Sequence, residues 1–117
     1  MKQTYAGGCQ CGKVRYEVAL DLDAPVISCN CSRCGRLGSL LAFAPAGDFK
    51  LLSGEGGLTD YRFNKRVIHH LFCSTCGIES FTRGSRDGQP VFAVNLRCLD
   101  GLDVAGLERI PVDGKSL

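Results

Sequence analysis

Seven of the eight cysteines stand in three tight groups: Cys9-Gln10-Cys11, Cys29-Asn30-Cys31-Ser32-Arg33-Cys34 and Cys73-Ser74-Thr75-Cys76. Only Cys98 stands alone. Sulfur at this spacing points to metal binding. In a Cys-x-Cys pair on an extended strand both thiolates face the same side, so they can share one ion without a turn. Each group is followed by glycine, at 12, 35 and 77, and glycine reaches the left-handed conformation that a chain folding back around an ion often needs. Zinc is the metal these donors select, since thiolates hold it tetrahedrally at about 2.3 Å. An iron–sulfur cluster, which also takes four thiolates, is the minor alternative.

Four ligands close a structural site, and the most economical combination is two plus two. Cys9, Cys11, Cys73 and Cys76 then form a closed site whose role is folding. This leaves Cys29, Cys31 and Cys34, and three protein ligands with an open fourth position is the arrangement of catalytic zinc. The competing reading has Cys98 complete a second closed site, making both ions structural. Against it, Cys98 lies in Asn95-Leu96-Arg97-Cys98-Leu99 with no glycine after it and no second sulfur nearby. Free cysteine is among the most buried residue types, and Cys98 reads as core or pocket lining. A dithiol redox role for Cys73 and Cys76 would want a βαβ setting, which the pattern does not show.

Three thiolates give a divalent ion a formal charge of −1, which blunts its power to acidify water. A thiol in the fourth position is treated differently: coordination deprotonates it and leaves its sulfur electron-rich. The triad therefore favours thiol chemistry over hydrolysis.

The elements that position these sulfurs read as strands. Val14, Tyr16, Val18 and Leu20 alternate with Lys13, Arg15, Glu17 and Ala19, the period-2 signature of a strand with one buried face. Further short strands are expected at 26–29, 40–44, 49–52, 60–63, 67–72, 80–82 and 91–95. Turns are expected at 54–57, 86–90 and 99–101, where glycine supplies positive φ. No amphipathic helix of three turns is visible, and 111–117 reads as loose or lightly packed. The sum is an all-β chain of short antiparallel sheets, read as a single zinc-stabilised domain over 1–117.

With 117 residues, 14 basic against 12 acidic and a net charge of +2, the chain shows no basic run that would draw it to nucleic acid or an anionic membrane. Its longest apolar runs fall far short of the roughly 20 residues that span a bilayer. Cysteine at about 7% lies below the roughly 8–10% of secreted disulfide scaffolds. With no secretory signal at the N-terminus, the expectation is a cytoplasmic protein with reduced thiols.

Gly8-Cys9-Gln10-Cys11-Gly12-Lys13-Val14-Arg15-Tyr16, then Cys29-Asn30-Cys31-Ser32-Arg33-Cys34, then Phe72-Cys73-Ser74-Thr75-Cys76-Gly77, then Val94-Asn95-Leu96-Arg97-Cys98-Leu99-Asp100 form a series that resembles the glutathione-dependent formaldehyde-activating enzymes, over nearly the whole chain. The resemblance implies an all-β, Mss4-like fold with two zinc ions. One is structural, on Cys9, Cys11, Cys73 and Cys76, and one is catalytic, on Cys29, Cys31 and Cys34, the division that ligand counting reached independently. It further implies a carbon–sulfur lyase condensing formaldehyde with glutathione to S-(hydroxymethyl)glutathione, or a related thiol–aldehyde pair. The alternative from another class is a non-catalytic zinc module with two structural ions that binds a protein partner.

Under that reading, glutathione's two carboxylates want cationic partners, and Arg33 and Arg36, flanking Cys34, are candidates through bidentate bonds. Each also reads as a solvated loop arginine; Lys65, Arg66 and Arg97 have weaker claims. His69 and His70 face opposite sides of a strand, so at most one points toward the site. Asn95 either orients a substrate amide or satisfies backbone groups at a strand end.

Overall fold

Val14, Tyr16, Val18 and Leu20 are all buried, none more than 4% exposed, so the alternation of the sequence is the alternation of the structure. The structure is a computed structural model and describes residues 1–116. Strand β2 (Arg15–Leu20) carries this apolar face and lies between β1 (Gln3–Gly8) and β5 (Phe49–Ser53) in a three-stranded antiparallel sheet. A second, seven-stranded sheet uses β3 (Val26–Cys29), β4 (Leu41–Pro45), β6 (Leu58–Tyr61), β7 (His69–Cys73), β8 (Phe81–Arg86), β9 (Gln89–Asn95) and β10 (Arg109–Val112). Its order is β10-β3-β4-β9-β8-β7-β6.

The expected strands are present, with shifted ends. The expected β8 segment of three residues runs on to Arg86, into a hairpin whose corner residues Asp87 (φ 53°) and Gly88 (φ 79°) have the two positive φ angles of a type I′ turn. Three elements differ from the sequence reading. Strand β1 had no alternation to announce it, being mostly exposed until Gly7 and Gly8. A single helical turn, α1 (Cys34–Leu37), follows the central cysteines. Segment 111–117 reads as loose or lightly packed, and its first two residues belong to β10, which pairs with β3 in parallel rather than antiparallel register. Its side chains are largely exposed, so backbone pairing rather than apolar burial holds it, and no hydrophobic pattern could have shown it.

Aliphatic side chains such as Val14, Val18, Val26, Val94 and Leu96 fill the core, and aromatic rings from both sheets meet against them. Tyr16 and Phe49 of the smaller sheet meet Phe81 and Phe92 of the larger, with Phe49 stacked on Phe92 at 4.2 Å and Tyr16 edge-on to Phe81 at 5.7 Å. Such pairs add about 0.5–1.5 kcal/mol each beyond the area they bury. The buried Tyr16 hydroxyl donates to the Ser80 carbonyl at 3.0 Å, so the one polar atom this ring brings inside is satisfied. Close backbone approach locks the turn before β2: a side chain at Gly8 would overlap the Val14 carbonyl. Gly54 (φ 93°) leaves room for only 2.6 Å between an added Cβ and the Lys13 oxygen.

Candidate metal centres

The turn between β1 and β2 brings Cys9 and Cys11 to the end of β7, where Cys73 and Cys76 stand. The four sulfurs lie within 4.8 Å of one another. Cys9 and Cys11 are 3.6 Å apart and Cys11 and Cys73 3.7 Å, while the edge of a tetrahedron with metal–sulfur bonds of about 2.3 Å measures about 3.8 Å. The donor set thus fits a tetrahedral thiophilic ion. Backbone N–H groups of Val14 and Cys76 point at Cys9 Sγ (3.3 Å) and Cys73 Sγ (3.5 Å). The N–H groups of Ile78 and Cys11 draw the Cys76 thiol down to about 6, with the Cys73 and Cys9 sulfurs adding to the fall. Gly12 (φ 84°) and Gly77 (φ 82°) take the left-handed conformation expected after a ligand.

The central group forms where β3 ends and α1 begins. Cys29, Cys31 and Cys34 place three ligand atoms within 4.8 Å. The Cys34 N–H points at Cys31 Sγ at 3.3 Å. Burial opposes ionisation of Cys31, but the N–H groups of Cys34 and Arg33 outweigh it and hold this thiol below its ordinary value. Burial, then the neighbouring Cys31 sulfur, pushes the Cys34 thiol well up. Gly35 departs from expectation: it sits inside α1, its N–H bonded to the Cys31 carbonyl at 2.8 Å. The left-handed residue comes three positions later, at Gly38 (φ 69°), which caps the helical turn.

Cys98 belongs to neither group. It is half-buried at the end of the turn after β9. Burial pushes its thiol up to about 11, with the sulfurs of Cys9 and Cys76 adding to the rise. The Glu79 carboxylate adds to the rise as well, so its charged neighbours are two sulfurs of the four-sulfur group and this carboxylate.

Around the central triad the two arginines do different things. Arg33 turns inward and donates from Nε (2.9 Å) and Nη2 (2.7 Å) to Oε1 of Glu79, a buried carboxylate, while its guanidinium lies 4.7 Å from the Tyr61 ring centre. Glu79 Oε2 is 3.6 Å from Nδ1 of buried His70, which has no hydrogen-bond partner among the described residues. Arg36 stays on the surface, Nη1 donating to the Ser32 carbonyl at 2.9 Å. Together with Ser32, Arg33, Leu37, Tyr61 and Phe63 it lines a cavity of about 460 Å³, within the roughly 300–1,000 Å³ range of small-molecule sites.

A family model of the glutathione-dependent formaldehyde-activating enzyme matches residues 4–109. The chain belongs to this family. A crystal structure of a protein from Rhodobacter sphaeroides shares 33% identity and superposes with a TM-score of 0.77, covering 90% of this chain and 99% of that one. The family match spans all eight cysteines, so both sulfur groups lie within the part of the chain that the family describes. No helix among the described residues is long and apolar enough to cross a membrane.

Of the other residues singled out from the sequence of this family member, the two histidines, Asn95 and Arg97 have structural partners. His69 and His70 do face opposite ways: His69 Nδ1 meets Asp60 Oδ2 at 2.7 Å, whereas His70 packs inward against Phe63, ring centres 5.0 Å apart. Asn95 accepts from the Arg97 N–H at 3.2 Å and so caps the turn, the backbone role of its two readings. Arg97 donates to the Gly38 carbonyl at 2.9 Å. Glu79, Tyr61 and Phe63 were missed. A single acidic residue inside Ile78-Glu79-Ser80-Phe81 was the available signal for Glu79, because a carboxylate in a strand-like apolar run needs a buried partner.

Proposed function

We propose that the chain is one zinc domain over 1–117 and a cytoplasmic carbon–sulfur lyase that joins glutathione to formaldehyde as S-(hydroxymethyl)glutathione. Cys9, Cys11, Cys73 and Cys76 would hold a structural zinc, and Cys29, Cys31 and Cys34 a catalytic one. The observation that carries this reading is the unequal ligand count of the two groups, four sulfurs in one and three in the other. Membership of a family named for formaldehyde activation does not favour the alternative, a purely structural zinc module. Zinc in the central group supplies thiol acidification, since a coordinated thiol loses its proton at neutral pH.

The chain's own residues bind and orient. Arg33 is committed to Glu79, so Arg36 is the arginine left to receive a substrate carboxylate, with most of its N–H donors unused by Ser32. Leu37, Tyr61 and Phe63 give the same cavity apolar walls against which the peptide-like body of the thiol can lie. His70 is enclosed by Phe63 and Glu79, and water serves as proton source for so small an aldehyde.

The test is the visible spectrum of the cobalt-substituted protein during titration with glutathione. Saturable change in the thiolate-to-cobalt bands, absent with oxidised glutathione, is the expected result. A spectrum that stays that of closed four-thiolate sites overturns the lyase reading.

A further inference from the structure

The segment at 109–116 runs directly to the central sulfurs. Along β10, Val112 pairs with Cys29, and the Asn30 N–H donates to the Val112 carbonyl at 3.1 Å. Beyond the strand the Asn30 side chain is held at both ends. Its Nδ2 donates to Asp113 Oδ1 at 3.0 Å, and its Oδ1 accepts from the Lys115 N–H at 3.1 Å. Ser116 Oγ in turn donates to Asp113 Oδ2 at 2.7 Å. Between these contacts Gly114 lies against the thiols: a Cβ there would overlap Cys29 Sγ and stand 3.1 Å from Cys31 Cβ. Gly114 is not among the residues of positive φ, so backbone conformation does not call for glycine at this position. Contact with the sulfurs does.

We infer that residues 113–116 form a wall of the central site, clamped by Asn30 and sealing its Cys29 and Cys31 side. Exchange of a metal ion or entry of a thiol is then confined to the side of Cys34, where Arg36, Leu37, Tyr61 and Phe63 line their cavity. Asn30 and Gly114 are positioning residues: Asn30 reads both a donor and an acceptor on the segment, and Gly114 lets the backbone reach the sulfur. The family match ends at residue 109, so the wall lies beyond it. The inference rests on the reading that the central group holds an ion.

The experiment tracks transfer of zinc from the loaded full-length protein to a chromophoric chelator, counting ions and timing each. Two ions per chain are expected, one released faster than the other. Asn30→Ala, which removes a hydrogen bond to the Asp113 carboxylate, should speed one release by about tenfold or more, and Gly114→Ala, which sets a methyl group against Cys29 Sγ, should speed the same release; each should leave the other release unchanged. Lys115→Ala should change nothing, because only its backbone N–H is used. Asn30→Asp sets two carboxylates together and should speed release further, whereas Asn30→Asp with Asp113→Asn restores the donor–acceptor pair and the slow rate. Two ions with unaltered release in both Gly114→Ala and Asn30→Ala overturn the wall alone, as does a Lys115→Ala effect equal to theirs. One ion per chain in the unaltered protein overturns the central metal reading and the wall with it.

Discussion

Removing Glu79 tests whether the central loop is held by a buried charge pair. The Glu79 side chain is 5% exposed and that of Arg33 23%, and the carboxylate takes both guanidinium bonds on one oxygen. Breaking a fully buried pair from one side costs about 3–5 kcal/mol, while an exposed pair is worth about 0–1 kcal/mol. The two partners differ in what their loss leaves behind. Glu79→Ala strands a guanidinium that is about a quarter open to water and still stacked on Tyr61, so the cost should fall near 2 kcal/mol. Arg33→Ala strands a carboxylate that water hardly reaches, beside a histidine whose Nδ1 has no hydrogen-bond partner among the described residues, and should cost about 3–4 kcal/mol. In the double variant the stranded charge is gone, and the coupling energy should be about 2 kcal/mol.

Urea unfolding of the zinc-loaded protein, with free zinc held constant so that binding does not shift between variants, reads these values. With a slope of about 1–3 kcal/mol per molar urea, a loss of 3 kcal/mol moves the midpoint by about 1–3 M. The asymmetry is the sharper part of the test. If Glu79→Ala costs more than Arg33→Ala, or the coupling is below about 0.5 kcal/mol, the pair does not anchor the loop and the reasoning from burial fails.

Two further pairs of substitutions probe the sulfur groups and the frame that carries them. Cys9→Ser should destabilise the whole domain and lose one zinc, whereas Cys31→Ser should lose one zinc while the melting temperature changes little; equal losses of stability, measured by circular dichroism, would make both sites structural. Gly54→Ala forces a side chain into the left-handed region and against the Lys13 carbonyl and should cost about 2–4 kcal/mol. Gly57→Ala, where an added Cβ meets nothing within 4 Å, should stay within about 0.5 kcal/mol, and similar melting temperatures for the two would refute the packing of the turn before β2.

The sulfur groups were legible because metal knuckles are short-range: ligand, turn and glycine fall within a few residues, and Gly12 and Gly77 adopt the expected conformation. Strand β2 was legible for a related reason, since its buried face repeats every second residue. Arg33 and Glu79 were not, because they lie 46 positions apart and meet only once the two sulfur groups and the sheet connecting them are in place. The distinction between Gly35 and its counterparts was also hidden. The same Cys-Gly dipeptide closes a knuckle at 77 and opens a helical turn at 35, and the residues C-terminal to it determine the outcome. At 35 the chain continues through Arg36 and Leu37 to a left-handed Gly38, so the reversal is simply delayed by one helical turn. β10 was invisible for a third reason: it is an exposed strand at the sheet edge, held by backbone bonds to β3, and such a strand needs no pattern in its side chains.

Loop closure bears on the proposed division into a structural and a catalytic ion. An ion on Cys11 and Cys73 joins residues 62 positions apart, whereas the whole central group spans Cys29 to Cys34. Closure entropy rises as three-halves RT times the logarithm of loop length, so the long link restrains the unfolded chain by about 2 kcal/mol more than the short one. The long link also fastens the β1–β2 hairpin to the end of β7, alongside the apolar core and the Asp100 N–H bond to the Ala6 carbonyl at 2.8 Å. The central group restrains little that β3, α1 and the Asn30 clamp do not already hold. Its position therefore does not depend on a fourth protein ligand, and a coordination place can be left to an incoming thiol at small cost to the fold.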